Sequence, residues 1–483
     1  MKNLDLKTTI LSIISIITVS VISLYFFKLT PFLIIALIIS LGLSLTIFKN
    51  PLFGILFIAF LLPFERIGSF ELAGITVRAS QIFSLFALIA WILIFLIKKK
   101  NFSAKNPLLI PIFIFFGSSL ISLINAENLP RGIIILLFTI FTISISIIIP
   151  NIIKTRNNLE KVIKIILISS VIVSLFGIYQ FIGDVIGLPE ELTGLREHYT
   201  KKVFGFPRIH SVSTEPLYFA NYLLIPISIL LSFVLSKKKT KLPFNIISTI
   251  FILALTTLNL VLTLSRGGYL ALAFLFFLFG IFFIRSVFTL KNIAIISIIL
   301  TTTIVSAYGF LLFTNRKKNI EIFIKQATTY TDGAGVEERF NTYDQSLAMI
   351  KEYPIIGGGI GNFGPYAARN PNMQPKDGWA IVNNEFLEIW AEQGIIGLLI
   401  FLSLIIIIII RSIKALTRKN IDPYLKTILI GLLFAYLAIL VQYQTFSTLY
   451  VLHIWFLVGL IIAVQNIIFS KNFTGVAKRK NTN

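Results

Sequence analysis

Three arginines stand alone where apolar runs end: Arg208 in FPRIHSVSTEPLYF, Arg266 in TLSRGGYLAL and Arg339 in GVEERFNTYD. A guanidinium is a planar fork of donors that matches two phosphate oxygens at once. A charge this close to hydrocarbon is costly and tends to mark a substrate path. Snorkelling, or pairing with a carboxylate such as Glu215 or Glu338, accounts for each arginine taken singly. All three on one face, beside a glycine run, point to a lipid carrying a diphosphate. Arg66 and Arg131 fall on the same side in less distinctive surroundings.

The glycine run is IIGGGIGNFG, residues 355–364. Gly357, Gly359 and Gly361 can turn backbone amides towards a phosphate, or close a tight turn where no side chain fits. Beyond it, VNNEFLEIWAEQG places Glu385, Glu388 and Glu392 at i, i+3 and i+7, one face of a helix that Asn383 or Asn384 can cap. Glu385 and Glu388 suit the positive end of that helix, and the face reads as solvated, directed at the aqueous boundary.

These groups need a scaffold. The chain has 483 residues, 56% hydrophobic and 13% charged, with mean hydropathy +0.90. Apolar runs of about 18–22 residues recur throughout, each long enough to cross a hydrocarbon core of about 30 Å. Helices must satisfy the backbone there, since no alternating strand pattern is visible. The reading is an all-α polytopic membrane protein with about 12–14 spans, forming a single domain over residues 1–483. Candidate spans run from 8–27, read as a retained helix rather than a signal peptide, to 449–469; the third, 51–64, is short. With no cysteine, disulfides and thiolate metal sites are excluded.

Charge sets the sidedness. Counting connections alternately, one side gathers 26 Lys and Arg against 3 Asp and Glu, and the other 17 against 18. The positive-inside rule then places both termini in the cytoplasm, in a multi-pass protein of the cytoplasmic (inner) membrane. The basic clusters at 98–100, 154–161, 237–241, 411–419 and 478–480 read as topology anchors that also meet membrane lipids, not as a nucleic-acid surface. Outside lie two long loops, 184–215 and 314–393, of a length that usually carries function. Within the second, 335–354 reads as an amphipathic helix with Val336, Phe340, Tyr343, Leu347 and Ile350 on its apolar face.

The order of Arg208 before a span, SRGG at 265–268, ERFNTYDQSLAMIKEYPIIGGGIGNF at 338–363 and NNEFLEIWAEQGIIG at 383–397 resembles the O-antigen ligase and O-antigen polymerase superfamily. The motifs cover roughly residues 200–415. Asn384, nine residues, Gly394, two residues and Gly397 fit the ligase signature; Asn383 stands where that signature has histidine. The resemblance implies a metal-independent, inverting glycosyltransferase without cofactor, using an undecaprenyl-diphosphate-linked glycan. The glycan would be polymerised, or passed to a glycan, lipid or protein acceptor, as in lipopolysaccharide and other polysaccharide assembly of the cell envelope. Arg208, Arg266 and Arg339 would then neutralise the diphosphate leaving group. Asn383 would orient an acceptor hydroxyl but cannot take its proton, which leaves Glu385, His210 or Glu215 as bases.

A transporter or flippase for lipid-linked oligosaccharide or a small anion is the rival reading. Such folds show internal repeats and broken helices at mid-membrane depth; no repeat is visible here, and the notable residues cluster at one surface. An inactive family member is the third reading, and it rests on Asn383.

Overall fold

The computed structural model describes residues 49–67, 70–72, 75–97, 106–236, 244–284, 334–373, 379–447 and 449–470, besides a few isolated positions. The candidate spans 8–27 and 31–48 (isolated positions aside) and 292–313 therefore lie outside the described residues, as do the start of the large loop, 314–333, and the clusters 98–100, 237–241 and 478–480.

The fold is all-α. Among the described residues its longer helices are α1 (Pro51–Leu61), α2 (Ala79–Ile97), α3 (Leu109–Ser122), α4 (Leu129–Ile152), α5 (Arg156–Ile186), α6 (Pro216–Leu235), α7 (Ile246–Leu262), α8 (Arg266–Phe282), α9 (Ala334–Glu352), α10 (Glu385–Leu416), α11 (Pro423–Gln442) and α12 (Leu452–Phe469). Six of these, α4, α5, α6, α10, α11 and α12, are long and apolar enough to cross a membrane; α1, α3, α7 and α8 are shorter apolar helices. A small hairpin, Phe70–Leu72 against Ile75–Val77, joins α1 to α2. Its strands of three residues are too short to leave a legible alternation in the sequence.

Helices α6, α11 and α12 are the most enclosed. Small residues let them approach: Ser228 Oγ donates to the Gly431 carbonyl at 2.6 Å, and a methyl group on Gly459 would lie 2.9 Å from Ile149 of α4. Lipid provides little hydrophobic drive between helices, so close backbone contact and buried hydrogen bonds hold the bundle. Asn221 supplies such bonds, donating to Gln442 at 2.9 Å and facing His453 Nε2 at 2.7 Å.

The connections gather at opposite ends of the helices. At one end, Arg66 N–H donates to the Val212 carbonyl, Ile209 N–H to Leu262, and Tyr343 Oη to Gln444. At the other, Arg156 pairs with Asp422 at 2.8 Å and Arg411 donates to Asn466 at 2.7 Å. The first end carries both long loops and a cap with its own core of Met349, Ile350, Phe363, Tyr366, Val382 and Ala391.

Helix α9 belongs to this cap, but its buried face differs from the one the sequence suggests. Phe340 and Leu347 are exposed, while Thr342, Ser346, Met349 and Ile350 face inward. Close approach decides this. Thr342 Oγ1 donates to the Val382 carbonyl at 3.1 Å, a contact that a larger side chain would prevent.

Candidate functional site

Two helices begin side by side at the loop-rich end. Ser265 caps α8 by accepting from Gly268 N–H at 3.2 Å, and Gly268 lies so close to Ala220 of α6 that a methyl group there would stand 2.8 Å away. The positive ends of α6 and α8 therefore point to the same surface. Over them lies the loop that carries Arg208 and His210, fixed by Arg208 N–H to the Tyr199 carbonyl at 2.8 Å.

Arg208 and Arg266 meet at this mouth. Arg208 Nε donates to the Thr263 carbonyl at 3.4 Å and its guanidinium lies 5.5 Å from the Tyr199 ring. Burial is the main influence lowering the Arg208 pKa, with Arg266 adding repulsion, and Tyr199, Tyr269 and Glu215 opposing it. Glu215, the residue just before α6, has an exposed side chain, yet the protein packed around its carboxyl raises its pKa, with Arg196 and Arg208 opposing the rise. Burial, then Glu215, raises the Tyr199 phenol to about 12, so it remains a neutral donor.

Sequence reading set Arg66 aside and did not single out Arg196 or Arg78. Arg66 Nη1 donates to the Gly194 carbonyl at 2.8 Å and lies 3.5 Å from His210 Nε2. Arg196 is exposed. Arg78 is buried with Glu65 at 3.9 Å, beside the Tyr218 ring at 5.8 Å. Arg78 had the signal shared by Arg208 and Arg266, a lone arginine at the start of an apolar run. Arg196 was one charge among many in a long loop.

His210 is fully buried. Burial first, and then Arg66 and Arg196, push its pKa down to about 4. An unfolded chain takes up that proton near pH 6.5, whereas the folded protein does so only near 4. Stability from this group is therefore full above pH 6.5 and falls as pH drops through that window. Thermal melting in detergent between pH 7 and 4.5 is expected to fall less steeply for His210→Gln than for the wild type.

The carboxylates of α10 line one cavity, as their spacing requires, but they do not form a solvated face. Glu385 and Glu392 are buried and Glu388 is half-buried. With Arg131 and Tyr450 they surround a cavity of ≈ 30 Å³, room for about one water. The glycine run explains the burial. Gly357, Gly359 and Gly361 have φ of 78°, 102° and 74°, and their segment crosses α10 where Gly394 breaks it (φ 67°, ψ −173°). The break frees backbone groups that the run satisfies: Gly358 N–H donates to Ala391, Gly359 N–H to Glu392, and Ile395 N–H to Pro354.

The amides with the geometry to cradle a phosphate are thus occupied. The Glu392 carboxylate accepts from Gly361 N–H at 2.8 Å and Phe363 N–H at 3.0 Å, and Ile360 N–H donates to Ser122 Oγ at 3.0 Å. The run does hold a carboxyl group, but one from a side chain of the same protein. Arg131 belongs to this stitching too, donating from Nε to the Gly361 carbonyl at 2.8 Å with its guanidinium 5.6 Å from the Trp379 ring.

Asn384 caps α10, accepting from Phe386 and Leu387 N–H at 3.1 and 3.2 Å. Asn383, beside it, has φ 60°, the left-handed region that asparagine tolerates better than most residues. Glu385 N–H donates to the Tyr443 carbonyl and Asn383 N–H to Ser447 Oγ.

The turn between α11 and α12, which sequence reading passed over, is therefore an organiser. On one side it holds Asn383 and Glu385. On another, Thr445 presses against Gly267, next to Arg266. Gln444 receives Tyr343, one helical turn beyond the half-buried Arg339 on α9. Arg208, Arg266, Glu215 and His210 share the mouth, while Asn383, Glu385 and the Arg339 helix dock on the turn that adjoins it.

Two comparisons bear on this arrangement. Residues 249–402 match the family model described as O-antigen ligase. The match spans α7, α8, α9 and the break in α10, and so takes in Arg266, Arg339, Asn383 and Glu385 but not Arg208, His210 or Glu215. An uncharacterized protein of Haemophilus influenzae is 27% identical over 169 residues, 33% of this chain and 41% of that relative's length. The likeness to the O-antigen ligase family therefore rests on residues 249–402, about a third of the chain.

Proposed function

We propose that this protein is a membrane glycosyltransferase that takes a glycan from an undecaprenyl-diphosphate carrier at the outer face of the cytoplasmic membrane and joins it to an acceptor hydroxyl. The observation that carries the reading is the grouping of Arg66, Arg196, Arg208 and Arg266 around the paired N-termini of α6 and α8. Guanidinium groups and helix N-termini both favour a diphosphate, more so where water is scarce. Arg339 adds a further cation from the cap. The absolute side of the membrane rests on the positive-inside rule, with the basic connections cytoplasmic.

The reaction is an inverting displacement. The acceptor oxygen attacks the anomeric carbon opposite the diphosphate, the new C–O bond forms as the sugar–phosphate bond breaks, and the negative charge passes to the departing lipid diphosphate. The arginines neutralise it, and the reaction needs no metal. The hydroxyl proton goes to a carboxylate. Among Glu385, His210 and Glu215, only Glu215 is open to solvent, and it takes the role of base. Asn383 orients the hydroxyl through its amide.

The test is proteoliposomes carrying undecaprenyl-diphosphate oligosaccharide. Glycan transfer with release of undecaprenyl diphosphate supports the proposal; movement of the donor across the bilayer with no chemistry supports a flippase instead. Asn383→His is a separate probe, since histidine also tolerates a positive φ. A second proton acceptor beside the hydroxyl is expected to raise kcat at least about tenfold. An unchanged kcat leaves Glu215 as the sufficient base.

A further inference from the structure

Asn383 holds a conformation that side-chain-bearing residues avoid, and such a conformation persists only where its surroundings over-determine it. Those surroundings are specific. Glu388 lies one turn into α10, and its Oε2 accepts from Val382 N–H at 2.9 Å and from Ser447 Oγ at 2.6 Å. Ser447 gives its proton to Glu388 and uses its oxygen to accept from Asn383 N–H at 3.0 Å. One carboxylate oxygen thus fixes the amides on both sides of Val382, that of Val382 directly and that of Asn383 through the serine.

From this bracket we infer that Glu388 is a positioning residue for Asn383, setting the backbone from which Asn383 presents its amide to the acceptor. The inference rests on the proposed glycosyl transfer for its kinetic part, while its structural part stands alone. Its chemistry suits the task. Val382 and Ser447 are fully buried, so without the carboxylate two buried donors lose the acceptor that fixes them. A carboxylate oxygen takes two donors at short range, and a glutamine oxygen can do the same less strongly. The Asn383 side chain remains partly exposed, its Nδ2 3.4 Å from the Ile381 carbonyl. The orientation of that amide is set by its own backbone, hence by Glu388. Glu388 reaches this position because α10 begins at residue 385, which places the third residue after the start beneath the entering chain. The arginine mouth is not involved, so the effect falls on the acceptor side alone.

Two measurements test this in the full-length protein. The first is amide hydrogen exchange at Val382 and Asn383, in Glu388→Ala, Glu388→Gln and the milder Ser447→Ala. Exchange is expected to rise at least tenfold in Glu388→Ala, to rise at Asn383 more than at Val382 in Ser447→Ala, and to stay near wild type in Glu388→Gln. The second is transfer kinetics in proteoliposomes. A fall in kcat of about a hundredfold for Glu388→Ala is expected, with donor KM within threefold and most of the rate kept by Glu388→Gln. If Glu388→Ala does not fold, Ser447→Ala decides both arms. Wild-type exchange and kcat in Glu388→Ala and Ser447→Ala overturn the inference. A wild-type protein that never transfers glycan overturns the proposed function instead, and the exchange measurement still decides the bracket.

Discussion

Arg208→Ala and Arg266→Ala are each expected to lower glycan transfer by about two to three orders of magnitude, the range for removing one donor aimed at a developing negative charge. Both side chains are half-buried at the mouth where α6 and α8 begin, and each sits within the other's field. In the proposed reaction they act on one leaving group, so the double variant is expected to lose less than the product of the single losses. Arg208→Lys keeps the charge but not the fork, and falls between wild type and alanine. Folding is expected to survive, since the bond from Arg208 Nε to the Thr263 carbonyl is long, at 3.4 Å, and the loss of such a bond costs about 1 kcal/mol. Arg411→Ala, at the opposite end of the bundle beside Asn466, is the control and is expected to transfer normally. Wild-type rates for both mouth variants would remove the diphosphate clamp from the proposal.

Gly394→Ala is expected to be the most damaging single substitution for the fold itself. At φ 67° and ψ −173° the residue occupies a region open almost solely to glycine, where a side chain costs about 1–3 kcal/mol. A methyl group there also collides with the Ile355 carbonyl and the Ile356 amide. Relief of that collision pulls the 354–359 segment away and breaks the bonds from Ile395 to Pro354 and Ile396 to Ile355, each worth about 1 kcal/mol. The sum is a loss of about 3 kcal/mol or more, seen as a fall of several degrees in melting temperature in detergent. Gly280→Ala is the comparison: nothing lies within 4 Å of the added carbon in α8, so it is expected to be neutral or slightly stabilising. Equal melting of the two variants would mean that the break in α10 bears no strain.

Much of the site is thus a consequence of one crossing. Where α10 breaks, the glycine run enters, and the Glu392 carboxylate binds the amides of that run. The amides of the run are thus satisfied internally, and the diphosphate site proposed above is the arginine mouth instead.

The sequence alone determined the class of fold and where the charges stand. Length and hydropathy of each apolar run are local properties, and a bilayer leaves the backbone few choices besides a helix, so the spans could be read one at a time. Periodicity likewise put Glu385, Glu388 and Glu392 on one face, and lone arginines marked Arg208 and Arg266, since burying a charge beside lipid is too costly to be incidental. What those faces meet was decided only by tertiary structure. Whether a carboxylate faces water or a neighbouring glycine amide depends on which distant segment fills the space, and 31 positions separate Glu392 from Gly361. The turn at 443–450 carries no charge and no motif, so nothing local distinguished it. Its part in holding Asn383, Glu385 and Arg266 together follows from long-range packing, which no window of sequence contains.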